Sequence, residues 1–273
     1  MQRFFIRTRH DVLLQRDSPD TVKVVSSVEF GRLIRVSVFL LVLVVANPPQ
    51  VAHLNTDSRT EAFAAVLSTR NEGSVRRVSA VELDASTRRA LPKYGNTLRQ
   101  TGIAFQIDWR LLLAIMKEES RYVETAESHR GASGLMQIMP ATGAELATRL
   151  GMEDLDHPDR NIQGGALYLA QLYNLFETAE DEQRLRLAVA AYNAGPARIY
   201  DAQEIAAFMG ENPYSWTSIK SVLPLLSKRY YTLHQLVWDG GKPRNGYFGK
   251  SRQTIDYVEK VVDSYRNFLA VLH

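Results

Sequence analysis

Apolar and polar positions divide the 273-residue chain into three stretches. The first holds an apolar run over residues 36–46, preceded by Arg32 and Arg35 and closed by Asn47-Pro48-Pro49. Its length matches the apolar core of an export signal, about 7–15 residues, and falls short of the roughly 20 that span a bilayer. Residues 1–52 are therefore read as an N-terminal extension with a signal or membrane-anchor segment. Val44-Val45-Ala46 offers a small-residue cleavage step, and the prolines beside it leave an uncleaved anchor open. Residues 53–79, rich in Ser, Thr, Asn, Arg and Glu, read as a linker. From about residue 80 to 273 the apolar positions recur with helical spacing, and strand-like alternation is scarce.

Within this third stretch several helices announce their ends. Asp108 is a plausible N-cap for a helix running to Ser120. Pro140 suits the first position of a second helix, which Gly151 stops after Leu150. Asn161 reads as the cap of a third, with Ile162, Ala166, Leu169, Tyr173 and Phe176 on its apolar side. Leu185 to Tyr192 forms another, ended by Asn193-Ala194-Gly195-Pro196. The last runs from about Arg252 to Leu272. The expected fold is mainly α, a helical domain with little or no sheet.

Charge and composition narrow the chemistry. A net charge of +3 is too small to argue for nucleic acid and suits weak attraction to an anionic polymer. With no cysteine, disulfides, thiolate metal sites and a cysteine nucleophile are excluded. His129, His157 and His234 show no paired helical spacing, and residues 153–161 lack the central glycine of a calcium loop. No metal and no cofactor is expected, and the histidines are assigned loop and surface roles.

One carboxyl stands out. At about 100° per residue, Arg110 and Lys117 share one face of the first helix, while Glu119 projects from the other beside Leu112, Ile115 and Met116. Glu118 lies between the two faces. A carboxyl facing the apolar side loses solvation, its pKa rises, and it becomes able to donate a proton near neutral pH. Three further stretches bear on it. Ser128 to Pro140 places Gly131, Ser133, Gly134, Gln137 and two methionines, Met136 and Met139, in one loop, with glycines for close approach, an amide for an acetamido group and an apolar wall. Ala191-Tyr192-Asn193-Ala194-Gly195 presents a phenol and an amide, and Thr254 to Val258 brings a second phenol, Tyr257.

Glu119-Ser120, Gly134-Leu135-Met136-Gln137, Asn161-Ile162 through Gly165-Ala166 to Tyr168-Leu169, and Ala191 to Gly195 resemble the successive motifs of the family 1 soluble-type lytic transglycosylase (SLT) domain. Ile107 to Leu112 and the tail from Asn212-Pro213-Tyr214-Ser215-Trp216 to Tyr230-Tyr231 are similar to the catalytic part of the membrane-bound F-type enzymes. The resemblance implies a lysozyme-like, goose-type fold and a peptidoglycan glycan strand as partner, while the apolar run 36–46 gives the expectation of an exported protein of the periplasm or cell envelope, with membrane association through that run if it is not cleaved. The resemblance also implies cleavage of the β-1,4 bond between N-acetylmuramic acid and N-acetylglucosamine to a 1,6-anhydromuramyl product. Glu119 would be catalytic, Tyr192 and Tyr257 would support it, and Ser120, Ser128, Ser133, Gln137, Met139 and Asn193 would hold the sugars. Two departures stand beside it. Gln253 occupies a place where many relatives have Glu, and the stretch ahead is too short for the solute-binding-like domain of F-type enzymes. A hydrolytic muramidase of the goose-lysozyme kind and a non-catalytic wall-binding module are the alternatives. The aromatic stretch from Tyr214 to Tyr231 is expected to pack on the last helix.

Overall fold

The computed structural model describes residues 82–273 in full and, before them, the backbone of three short strands. The apolar run 36–46 and the linker 53–79 lie outside the described residues, so the structure does not bear on either. The chain divides into two units, Met1–Asn55 and Thr56–His273. In the first, β1 (Phe5–Arg7), β2 (Leu13–Ser18) and β3 (Thr21–Val25) form an antiparallel sheet in chain order, with Ile6 opposite Leu14 and Gln15 opposite Lys23. No strand was expected there. Among residues 82–273 only isolated bridges, Glu127 to Ser133 and Ser133 to Ile138, interrupt the helices.

The second unit is mainly helical over its described residues, 82–273. Its elements are α1 (Ala85–Phe105), α2 (Trp109–Ser120), α3 (Pro140–Leu150), α4 (Pro158–Leu175), α5 (Asp181–Ala194), α6 (Pro196–Phe208), α7 (Trp216–Val222), two 3₁₀ turns (Leu223–Leu226 and Lys228–Tyr230), α8 (Tyr231–Val237) and α9 (Ser251–Val271). Among the described residues no helix is long and apolar enough to cross a membrane.

The core is organised around α2. Leu111 through Met116 are all buried, so this helix is apolar all round and is covered by α9, α1 and α4. Each such Leu or Ile contributes about 1.5–3 kcal/mol by burial. Only its ends carry charge, and both ends are tied. Asp108 caps the N-terminus, accepting from the Arg110 backbone N–H at 2.9 Å. The Arg110 guanidinium grips the same carboxylate and donates to the Leu272 carbonyl, and the Tyr265 hydroxyl donates to Asp108 at 3.1 Å. At the other end Lys117 pairs with Asp84, the N-cap of α1, at 2.8 Å. The start of α2 is thereby pinned to the end of α9, and its last turn to the start of α1.

Several expected ends hold: Asp108 before α2, Pro140 and Gly151 around α3, and Gly195 after α5, where φ is +87° and Pro196 opens α6. One does not. Asn161 lies inside α4, which begins at Pro158 with His157 as its cap, because the Asn161 side chain has a different use, described below. Trp216, in the aromatic tail, packs into the core and donates its indole N–H to Glu259 of α9 at 3.2 Å. His234 also departs from expectation. It is buried rather than at the surface, with Nε2 2.7 Å from the Leu225 carbonyl and its ring 5.6 Å from both Trp238 and Tyr247.

Candidate active site

Glu119 occupies the last turn of α2, where the helix is stopped abruptly. Arg121 and Tyr122 both adopt left-handed backbone, φ +52° and +66°, which is unfavourable for side chains with a Cβ. Local hydrogen bonds offset that cost. The Arg121 N–H reaches the Lys117 carbonyl, and the Ser120 hydroxyl donates to the Met116 carbonyl while accepting from the Tyr122 N–H, each at 3.1 Å. Ser120, expected to touch sugar, is therefore buried and committed to the turn that fixes the direction of Glu119.

The Glu119 carboxyl receives a hydrogen bond from the Tyr257 hydroxyl, 2.6 Å from Oε1. Burial is the dominant influence on its ionisation and raises the pKa, the neighbouring charge of Glu118 raises it further, and the Tyr257 bond pulls the other way; the outcome is about 7. Among the described residues no arginine or lysine acts on this carboxyl. Burial, followed by the charge of Glu119, pushes the Tyr257 phenol well above its usual range, so it stays a neutral donor. The pair is a carboxylic acid poised near neutrality, with one oxygen held and the other left for a ligand.

Tyr192 behaves differently from the expectation that it would orient Glu119 directly. Its hydroxyl donates to the Met136 carbonyl at 2.8 Å, and its ring packs at 5.3 Å on Tyr168 of α4. Burial first, and then the Glu119 charge, raise its phenol as well, which places it in the field of the carboxyl without a bond to it.

The loop between α2 and α3 is a small hairpin. Ser133 and Ile138 exchange backbone hydrogen bonds at 3.1 and 3.0 Å around Gly134-Leu135-Met136-Gln137. The turn needs left-handed backbone at Gly134 (φ +79°) and Gln137 (φ +47°), and it drives Leu135 and Met136 fully into the core. Asn161 clamps it from α4: its Oδ1 accepts from the Met136 N–H at 2.8 Å, and its Nδ2 donates to the Ser133 and Leu155 carbonyls at 3.3 Å. Gly134 and Gly165 exist for this contact. A Cβ on Gly134 would meet Asn161 Cγ at 2.6 Å, and one on Gly165 would meet Met136 Cβ at 2.7 Å. The glycine at 134 thus serves close approach to protein, where the sequence had pointed to close approach to a ligand. Asn161→Ala should cost about 2 kcal/mol, because it orphans a buried N–H and two carbonyls; urea unfolding would measure it, and an unchanged midpoint would remove Asn161 from this role.

The remaining candidates fall as follows. Gln137 spends both amide hydrogens on the Ala126 and Gly134 carbonyls, at 2.8 and 3.0 Å, so only its Oε1 is left to face a ligand. Ser128 Oγ accepts from the Ala132 N–H at 3.0 Å, inside the same loop. The Ser133 side chain is exposed, and Met139, 40% exposed, precedes α3. Asn193, at the end of α5, accepts from the Thr254 hydroxyl through Oδ1 at 2.8 Å. Gln253 is exposed in the first turn of α9, one turn before Tyr257.

Asn161 and Tyr168, quoted only within a motif, and Thr254, quoted only beside Tyr257, had been given no role of their own in this neighbourhood. The signal available in sequence for Thr254 was its i, i+3 spacing from Tyr257. Among the described residues no group of three His, Asp or Glu is placed to hold a metal ion. A hollow on α6 and the loop before α9, lined by Tyr200, Asp201, Tyr214, Arg244 and Asn245, has its acids internally bonded: Asp201 accepts from Asn245 and Glu204 pairs with Arg244. Glu119 is not among its residues.

The transglycosylase SLT domain family model matches residues 96–214. A membrane-bound lytic murein transglycosylase F of Desulfosudis oleivorans is 34% identical over 176 residues, covering 64% of this chain and 36% of that protein. The protein of the same description from Shewanella halifaxensis is 38% identical over 172 residues, covering 63% and 33%. The 70 kDa soluble lytic transglycosylase of Escherichia coli aligns in structure with a TM-score of 0.44 and 23% identity, over 63% of this chain and 23% of that one. The chain spans about a third of the length of the curated relatives it matches. Glu119, the clamped hairpin, Asn161 and Tyr192 all fall inside residues 96–214, the stretch that matches the transglycosylase SLT domain family.

Proposed function

We propose that the chain is a peptidoglycan lytic transglycosylase that cleaves the β-1,4 bond between N-acetylmuramic acid and N-acetylglucosamine. The observation that carries this reading is the Glu119 carboxyl, set in a buried helix end, bonded by Tyr257 and half-protonated near neutrality. The SLT domain and the names of its relatives support it.

In the first step neutral Glu119 gives its proton to the bridging oxygen as the bond from the anomeric carbon breaks, and the muramyl acetamido oxygen stabilises that carbon. In the second, the Glu119 carboxylate takes the proton of the muramyl 6-hydroxyl, whose oxygen closes on the anomeric carbon. The proton count balances, Glu119 ends as it began, and no water is consumed. Substrate assistance replaces the second carboxylate of most glycosidases, which fits the position of Glu118 on another face of α2. Tyr257 holds the carboxyl, while Asn193, Gln137 Oε1, Ser133 and Met139 face the sugars. We place the protein in the cell envelope, with residues 36–46 as the exporting or anchoring segment.

Mass spectrometry of muropeptides released from purified sacculi tests the reading. An anhydro product is expected, a product heavier by one water would mark a hydrolase, and no release would leave a binding module. A second expectation concerns pH. Because the Tyr257 bond favours the charged carboxylate, Tyr257→Phe should raise the Glu119 pKa. The proton-donating form then persists further, so the fall in kcat/KM above about pH 7 should move to higher pH. A pH profile identical to wild type would remove Tyr257 from the ionisation of Glu119.

A further inference from the structure

Tyr200, Gln203, Glu204 and Ala207 recur at helical spacing on one face of α6 and line a hollow of about 550 Å³. The polar side chains here each tie down a different segment of chain. Gln203 donates to the Pro213 carbonyl at 3.0 Å, and Glu204 accepts from the Trp238 indole and, at 2.8 Å, from Arg244. Asp201 accepts from the Asn245 backbone and side-chain N–H groups at 3.2 and 3.1 Å. The walls are therefore set by the fold itself.

Three properties narrow what the hollow can hold. Its charges are matched, since Glu204 has Arg244, and Asp201 has Arg198 at 3.8 Å. A lining without net charge favours neither an anion nor a cation. Two tyrosines, Tyr200 on α6 and Tyr214 on the loop that Gln203 holds, are 39% and 40% exposed, and the Tyr200 ring is steadied by Phe176 at 5.9 Å. Planar hydrogen-bonding groups complete the lining: Gln203 donates inward through Nε2 and keeps its Oε1, and Arg244 meets Glu204 through Nε, which leaves its terminal nitrogens to donate. A pyranose has a C–H face and a rim of hydroxyls and is neutral as a whole. Half-exposed phenol rings beside fixed amide and guanidinium groups match that chemistry.

We propose that this hollow is a second glycan-binding site, which takes neutral sugar units apart from the Glu119 site and holds the enzyme on the polymer it cuts. That the polymer is the wall glycan rests on the transglycosylase reading, whereas the preference for neutral sugar rests on the hollow alone. Glu119, Tyr257, Gln137, Met139 and Asn193 are not among its lining residues. A strand held here leaves the acid free to work.

The test is sedimentation of the full chain with purified peptidoglycan sacculi in the Glu119→Gln background, where the glycan is not consumed. Adding Tyr214→Ser should weaken retention about fivefold, the scale of one aromatic contact, whereas Tyr214→Phe, which keeps the ring, should stay within about twofold of the parent. The difference between parent and Tyr214→Ser should be erased by a soluble β-1,4-linked N-acetylglucosamine hexasaccharide. It should change less than about twofold when salt is raised from 0.05 to 0.5 M, because no ion pair with the ligand is made. With Glu119 intact, Tyr214→Ser should leave turnover of a soluble tetrasaccharide within about twofold of wild type, since cutting reads the Glu119 site alone. Parent-like retention of Tyr214→Ser, equal loss with Phe, collapse of the difference in salt, or a matching loss on the tetrasaccharide would each overturn the proposal. Should Tyr214→Ser not fold, Arg244→Ala, at a side chain 70% exposed, carries the same expectations for retention and turnover and the same refutations. Retention is read without turnover, so a wild-type chain that formed no anhydro product would count against the transglycosylase reading and leave the hollow to be decided by sedimentation.

Discussion

Glu119→Gln is expected to reduce release of anhydromuropeptides by about three to four orders of magnitude, the scale of a positioned general acid. The loss should be at the upper end because one carboxyl serves both steps: the amide can neither give a proton to the leaving oxygen nor take one from the 6-hydroxyl. Geometry is spared, since the Gln oxygen can still accept from Tyr257 at the position where Glu119 Oε1 lies 2.6 Å away. Single-turnover release from sacculi, followed by mass, is the measurement. Activity within tenfold of wild type would mean that another group carries the proton.

The same substitution should make the protein more stable in alkali. The Glu119 pKa stands at about 7 in the folded state against 4.5 for the free side chain, chiefly through burial. With a folded pKa raised above the unfolded one, the favourable protonated state is fully available below pH 4.5 and is lost as pH rises through about 7. The shift corresponds to about 3 kcal/mol above that window. A glutamine amide does not titrate, so Glu119→Gln should match wild type at about pH 4 and exceed it by up to about 3 kcal/mol at about pH 9. Urea unfolding at the two pH values reads the difference directly, and an equal midpoint in alkali would show that the buried charge is compensated. The two results together would describe a residue kept at the expense of stability.

What could be read in advance divides along a physical line. Helix ends set by local chemistry were legible: Asp108 before α2, Pro140 and Gly151 around α3, Gly195 and Pro196 between α5 and α6. The direction of Glu119 was legible too, because helical periodicity alone separates it from Arg110 and Lys117. Features made by residues distant in sequence were not. Asn161 reads locally as a cap, yet its side chain crosses 25 residues to the Met136 N–H. Gln137 offers four hydrogen-bonding positions on paper, and only the folded hairpin shows that two are consumed. Met136 and His234 went astray for the same reason, since nothing in their immediate neighbours reports that they are enclosed.

The hairpin and its clamp give Gly134, Asn161 and Gly165 a structural use that keeps them in contact with protein. Asn161 holds the backbone of Met136, Gly134 makes room for the Asn161 side chain and Gly165 for that of Met136, and the Met136 carbonyl in turn receives the Tyr192 hydroxyl. A change at any of them would act on the reaction only through the placement of the loop, and would show first as lost stability.

The family match ends at residue 214, whereas the hydroxyls that steady Glu119 and Asn193 reside on α9, at 257 and 254. A piece excised along the matched boundary would keep the acid and lose its keeper. On the transglycosylase reading, a gene fusion that borrowed residues 96–214 alone would part Glu119 from Tyr257, so it must carry the terminal helix along.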